Sequence, residues 1–169
     1  MGIRYLAVAF RNDDVETAHE WKRVQDEANR LHDIWARDFT EDDEDILDAD
    51  GDRRSSYDLK TLDLDKSWRD LQHLLHGTDA AALVRGNVTH TGGGWISHFA
   101  VLTAPEVAAA ATALAGLDEA TVKEAVRAHA FSPDRAEQDA EYVWEYVQRA
   151  AEFTARLARQ GRALAAWIG

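Results

Sequence analysis

Four histidines in the middle of the chain have the residue type and spacing for acid–base or metal chemistry. His73 and His76 are three residues apart within a stretch of helical periodicity, so both imidazoles could share an ion. His90 and His98 follow on either side of the sequence TGGGW. The chain has no HExxH motif, however, and seven histidines in 169 residues produce such pairs by chance. We therefore favour surface or hydrogen-bonded histidines, and we predict no metal and no cofactor.

Other sequence motifs of catalysis or ligand binding are incomplete or absent in this chain. With Gly51 at the sixth position of an EF-hand loop, the first and twelfth positions are Ile46 and Tyr57, where calcium binding needs carboxylates. The sequence HTGGGW has no following Lys-Ser/Thr pair and leads into a predicted strand, so its glycines are expected to form a turn. The chain also lacks cysteine and the GxSxG motif, which excludes thiolate chemistry and this form of serine nucleophile.

Acidic residues dominate the charge and are concentrated in one segment. The chain has 31 acidic and 19 basic residues, a net charge of −12, which argues against binding to nucleic acid. Residues 38–52 hold nine of these acids and no basic residue, and the rest of the chain is nearly balanced. We predict a partly mobile surface loop over about 38–58. Its function is either to keep the protein soluble or to bind a basic protein, with these candidate contacts: Asp42, Asp43, Asp45 and Asp48.

The N-terminal sequence indicates in which compartment of the cell the protein is located. MGIRYLAVAF contains an apolar run of about seven residues that ends in charge, which is too short for a secretory signal or a membrane span. We therefore expect a cytoplasmic protein that does not bind membranes.

Hydrophobic periodicity predicts a helix-rich α+β domain. Apolar and β-branched runs predict strands at 3–10, 95–103 and 162–168, and 3.6-residue periodicity predicts helices at 14–37, 65–77, 104–115, 118–129 and 133–160. Residues 78–94 are expected to form a loop with one short strand. The economical architecture is a small mixed β-sheet covered by helices, in a single domain over residues 1–169.

The stretch LDLDKSWRDLQHLLHG at 62–77 predicts a helix that packs in the core. Trp68, Leu71, Leu74 and Leu75 share one face at 100° per residue. His73 lies opposite that face. The arrangement therefore favours a core helix over a catalytic one.

Several features spread over the chain outside 11–58 occur together in one family. They are the start MGIRYL, Leu64-Asp65-Lys66, Trp68, Leu71, Leu74-Leu75, Gly77, the sequence LTAPEVAAAATAL at 102–114, and the ending Gly161 to Ile168-Gly169. In these the chain resembles the YfbM-like family of uncharacterised bacterial proteins. The resemblance implies a compact α+β domain of the bacterial cytoplasm, without known activity. The family motif has His four residues after the Trp, where this chain has Gln72, and often Thr at the position of His76.

Two functional hypotheses remain open at this stage. The first is an acidic protein-binding or regulatory module, similar to inhibitor or immunity proteins, whose segment 38–52 contacts a basic partner. The second is a small-molecule enzyme with a pocket near residues 68–98. In it the four histidines above would be acid–base or ligand groups, and Trp68 and Trp95 would form the walls.

Overall fold

The fold was obtained as a computed structural model, which describes residues 3, 5–11, 15, 61–91, 94–96, 98–130 and 132–169. Val15 is helical, but the rest of the predicted helix 14–37 and the whole predicted acidic loop 38–58 lie outside the described residues.

The described residues form six strands, four α-helices and two short 3₁₀ helices. The strands are β1 Tyr5–Phe10, β2 Thr61–Asp65, β3 Thr89–Thr91, β4 Gly94–Ile96, β5 His98–Leu102 and β6 Ala163–Ile168. The α-helices are α1 Trp68–Leu74, α2 Ala104–Ala115, α3 Glu119–His129 and α4 Ala136–Arg159. The 3₁₀ helices are Asp79–Ala82 and Pro133–Arg135. This composition confirms the predicted α+β class.

Four of the strands form one sheet in the order β2-β1-β6-β5. Val8 of β1 pairs with Thr61 on one side and with Ala165 on the other, and Val101 of β5 pairs with Ala165 in turn. All three pairings are antiparallel, so the sheet is not of the mixed type that we expected. Strands β3 and β4 form a separate antiparallel pair.

Both faces of the central strands β1 and β6 are buried, because a separate apolar cluster packs against each face. On one face, Tyr5 and Leu164 belong to the main core together with side chains of α1, α2, α3 and α4. On the other face, Ala163 and Ala165 are fully buried in a smaller cluster with Val15. The cores on the two faces explain why β6 is apolar at every position.

Helices α2 and α3 begin where their capping residues predict. Thr103 and Glu106 form a reciprocal capping box at the start of α2, with Thr103 N donating to Glu106 Oε2 at 2.8 Å. Asp118 Oδ1 accepts from Thr121 N at 2.9 Å at the start of α3. The predicted helices 104–115 and 118–129 are thereby confirmed. Helix α4 ends before Gly161, whose φ of 61° is the left-handed conformation common after helices.

The region around the stretch 62–77 differs from the prediction. The sequence TLDLD forms strand β2, so helix α1 begins at Trp68 rather than near Asp65. The predicted single strand 95–103 is two strands, β4 and β5, which pair with different partners. Short strands of this kind depend on their neighbours in space, which local sequence patterns do not report.

None of the helices in the described ranges is long and apolar enough to cross a membrane.

Candidate functional site

The turn between β2 and α1 is held in an uncommon backbone conformation. Asp65 has φ of 44°, and its backbone N–H donates to Asp63 Oδ1 at 2.7 Å. Aspartate tolerates the left-handed region better than most residues because its short side chain bonds locally. Two residues later, the Ser67 hydroxyl donates to Leu64 O at 2.7 Å. These bonds reverse the chain so that α1 starts directly after the sheet strand.

Tyr142 of α4 fixes the same turn from outside. Its hydroxyl donates to Asp65 Oδ2 at 2.9 Å. Loss of solvent and this hydrogen bond raise the pKa of Tyr142 above the usual value of a phenol. A phenol that stays protonated is a hydrogen-bond donor and not a base, so this contact links helix α4 to β2 and does not supply a nucleophile.

Trp68 is the first residue of α1 and one of the largest fully buried side chains. It is 1% exposed, and Leu71 one turn later is also buried. The Arg69 guanidinium lies 5.2 Å from the centre of the Trp68 ring. Trp68 therefore packs in the core, as expected for a core helix, and offers no open surface to a substrate.

Gln72 joins α1 to the segment that follows it. Its Nε2 donates to both Val84 O and Gly86 O, each at 2.5 Å. The Tyr5 hydroxyl donates to Leu83 O at 2.9 Å, so residues 83–86 are tied to both a helix and a central strand. Gln72 occupies the position where the YfbM-like family has His. In this chain its side-chain amide holds the backbone of the 83–86 segment against α1.

We expect Gln72→Ala to lower the free energy of unfolding by about 1–3 kcal/mol, because two carbonyl groups lose their donor. Gln72→His should lower it by about 1 kcal/mol, since an imidazole nitrogen can donate to only one of the two carbonyls. Urea unfolding would measure both, with the exposed neighbour His73→Ala as the control, expected below about 0.5 kcal/mol. A Gln72→Ala variant as stable as the control would show that these hydrogen bonds contribute nothing.

The ring of His98 lies directly against Gly86. Gly86 has φ of +106°, and a Cβ built on it would lie 2.0 Å from Cδ2 of His98. Only glycine allows this approach. His98 is half-buried, so in this position it covers the backbone of the 83–86 segment.

A second group of titratable side chains meets where α1 packs against α3 and α4. The His73 and His129 rings are nearly parallel at 13°, with their centres 6.2 Å apart. Loss of solvent and the nearby Asp139 carboxylate raise the pKa of Asp70, which lies one turn before His73, whereas His73 itself acts in the opposite direction. We call these four residues the three-helix cluster.

The candidate residues from the sequence do not form one described group. His73, His76 and His90 are exposed, and His98 is half-buried against Gly86. Trp95 lies in β4 opposite His90 in the strand register. The four candidate aspartates, Asp42, Asp43, Asp45 and Asp48, lie outside the described residues. Within the described ranges, no three side chains of His, Asp or Glu are placed to hold one metal ion.

The comparisons with known proteins concern nearly the whole chain. Residues 8–167 match the profile of DUF1877, a domain of unknown function. The chain belongs to the DUF1877 family. The protein of unknown function YfbM from Escherichia coli has a similar solved structure, with a TM-score of 0.61 and 17% sequence identity, over 98% of this chain and 99% of that one. The resemblance to YfbM-like proteins is thereby confirmed for the fold. No curated protein matches the sequence.

Membership of the DUF1877 family therefore indicates the fold and assigns no activity. Several residues that make the contacts described above belong to no sequence motif. Asp139, Tyr142 and Tyr146 recur at helical spacing along α4, and the two tyrosine rings meet edge to face at 4.8 Å. Such a row on an amphipathic helix is typical of a core boundary. The distant partners, Asp65 for Tyr142 and His129 for His73, could be recognised only after the helices were placed.

Proposed function

We propose that this DUF1877 protein is an acidic protein-binding module of the bacterial cytoplasm, of regulatory or inhibitor type. In this proposal the acidic segment 38–52 contacts a basic surface of another protein. The observation that carries the proposal is the composition of that segment, which has nine carboxylates and no basic residue within fifteen positions.

The charges of the described helices support this assignment because many of them are compensated locally. Lys123 pairs with Glu119 and with Glu141 across the contact of α3 and α4. Arg127 pairs with Glu137, with Nε donating to Oε2 at 2.8 Å. Arg149 pairs with Glu145 on the same helix. Charges paired in this way contribute little to the field at a distance, which leaves the acidic segment as a concentrated source of negative potential.

A concentrated negative segment suits a partner rich in lysine and arginine. Complementary potentials raise the association rate by steering the two proteins together, and this effect weakens as salt screens the charges. An inhibitor or regulator that must capture its target quickly gains from such steering.

We expect the variant Asp42→Asn/Asp43→Asn/Asp45→Asn/Asp48→Asn to bind its partner more slowly. The wild-type protein would be immobilised, and proteins captured from a native bacterial lysate would be identified and purified. Their association rates with the neutralised variant should fall at least about tenfold at low salt, because steering is lost.

The matched control removes four carboxylates from exposed positions elsewhere, in the variant Asp79→Asn/Glu124→Gln/Asp134→Asn/Glu152→Gln. This control has the same net charge as the neutralised variant, so it separates the local effect from that of total charge. Equal association rates for the two variants, or a rate for the neutralised variant equal to that of wild type, would contradict the proposal.

The enzyme hypothesis has no comparable support among the described residues. Trp68 is buried and His98 covers a backbone turn, so neither opens onto a described pocket. For the remaining candidates, His73, His76, His90 and Trp95, a role in catalysis or in a pocket wall stays a prediction.

A further inference from the structure

The two edges of the four-stranded sheet differ in how they are protected. Strand β2 forms one edge and β5 forms the other. Strand β2 contains Asp63 and Asp65, its pairing with β1 is shifted at one point, and Asp65 ends the strand with a positive φ. Charged side chains and irregular pairing are devices by which natural edge strands avoid further pairing. The β2 edge is therefore unsuited to the addition of another strand.

Strand β5 has none of these devices. Its sequence HFAVL contains no Asp, Glu, Lys, Arg or Pro, and it pairs with β6 in unbroken register from His98 to Leu102. In the described part of the chain, β6 is the only strand that pairs with β5. Alternate residues of an edge strand direct their N–H and C=O groups away from the sheet, so the segment 99–102 offers backbone donors and acceptors to another strand.

The side chains at this edge are apolar and accessible. Phe99, Ala100 and Val101 are each partly exposed. Ile96, two residues before β5, is 44% exposed, and no other large apolar side chain in the described ranges is classed as exposed. Apolar side chains beside an open strand edge are typical of interfaces formed by strand addition.

We propose that β5 pairs antiparallel with β5 of a second copy of this chain, about a two-fold axis at Ala100. The dimer joins two four-stranded sheets into one sheet of eight strands. In this register Phe99 of each copy lies opposite Val101 of the other, and aromatic with β-branched residues are among the favourable cross-strand pairs. Strand β5 carries no carboxylate, lysine or arginine, so it meets its own copy without repulsion between such groups.

The difference between the two edges limits the assembly to two copies. After pairing, both outer edges of the sheet are β2 strands, whose aspartates and shifted pairing oppose further addition. The net charge of −12 on each chain opposes association, so added salt should strengthen the dimer. This is opposite to the salt effect expected for binding of a basic protein by the acidic segment, on which the dimer does not depend.

Sedimentation velocity of the full-length protein over a range of concentrations tests the dimer. Wild type should associate reversibly to twice the chain mass of 18.9 kDa. Ala100→Lys and Ala100→Glu each place two like charges opposite one another and should raise the dimer dissociation constant at least about tenfold. An equimolar mixture of these two variants should form a heterodimer, because opposite charges then face each other. The matched control Ala128→Lys, at an exposed position of α3, should dimerise like wild type.

Amide hydrogen exchange of the wild-type protein provides a measurement that does not depend on whether a variant folds. Amides in the segment 99–102 that point away from β6 should exchange more slowly as the protein concentration is raised through the dissociation constant, whereas those of β2 should not change. A wild-type protein that stays monomeric at all concentrations, a dimer equally stable in Ala100→Lys, or exchange in 99–102 that is independent of concentration would each overturn the proposal.

Discussion

Trp68→Ala is expected to lower the free energy of unfolding by about 3–5 kcal/mol, the range for removing a large aromatic side chain from a packed core. Trp68 is 1% exposed and begins a helix of the main core, so its removal leaves a cavity that neighbouring side chains cannot fill. Stabilities of single domains are about 5–15 kcal/mol, so the variant would be near the limit of folding at physiological temperature. Urea or thermal unfolding followed by circular dichroism would measure the change.

The adjacent variant Arg69→Ala is the control for this experiment. Its guanidinium lies over the Trp68 ring but its side chain is exposed, so its removal should change the free energy of unfolding by less than about 1 kcal/mol. A Trp68→Ala change as small as that of Arg69→Ala would mean that Trp68 is not part of the core and would make it a surface candidate again.

Gly86→Ala is the second large effect, with an expected loss of about 3 kcal/mol or more. The positive φ of +106° strains any residue with a Cβ, and the new methyl group would overlap the His98 ring at 2.0 Å. To remove this overlap, either the His98 side chain or the 83–86 segment must move. A movement of the 83–86 segment would weaken the hydrogen bonds that Gln72 donates to that segment.

Two further variants separate backbone strain from the steric overlap. Gly77 also has positive φ, at +78°, but nothing lies within 4 Å of the position that an alanine methyl group would occupy there, so Gly77→Ala should reduce stability by only about 1–2 kcal/mol. In a His98→Ala background, the effect of Gly86→Ala should fall to a similar value, giving a coupling energy of at least about 1 kcal/mol. Additive effects of Gly86→Ala and His98→Ala would show that the two residues do not interact.

The parts of the fold with strong local patterns were predictable from the sequence. Helices α2 and α3 begin at their capping residues, Thr103 and Asp118, and the apolar row of α4 is buried where the periodicity places it. Strand β2 was missed because its five residues merge into the pattern of α1, and its strand conformation comes from pairing with β1. The antiparallel sheet was also beyond local patterns, since strand direction depends on pairings between distant segments.

The candidate site was less predictable than the fold. The sequence placed His73 on the polar side of its helix, where it is exposed, but carried no indication that His129 lies beside it. Gln72 looked like the loss of a family histidine, whereas its amide holds two carbonyl groups of the next segment. Contacts of this kind join residues through the tertiary fold, so no spacing rule reveals them.

The central pair of the sheet, β1 with β6, has a consequence for the synthesis of the protein. Tyr5 of the first strand pairs with Ile168 of the last, so nearly the whole described chain lies between them. On the ribosome, β1 can pair with β2 early, but its other edge has no partner until β6 has left the exit tunnel. Until then an apolar strand edge is open to wrong pairings, so folding should be slow to complete and should benefit from chaperones during translation.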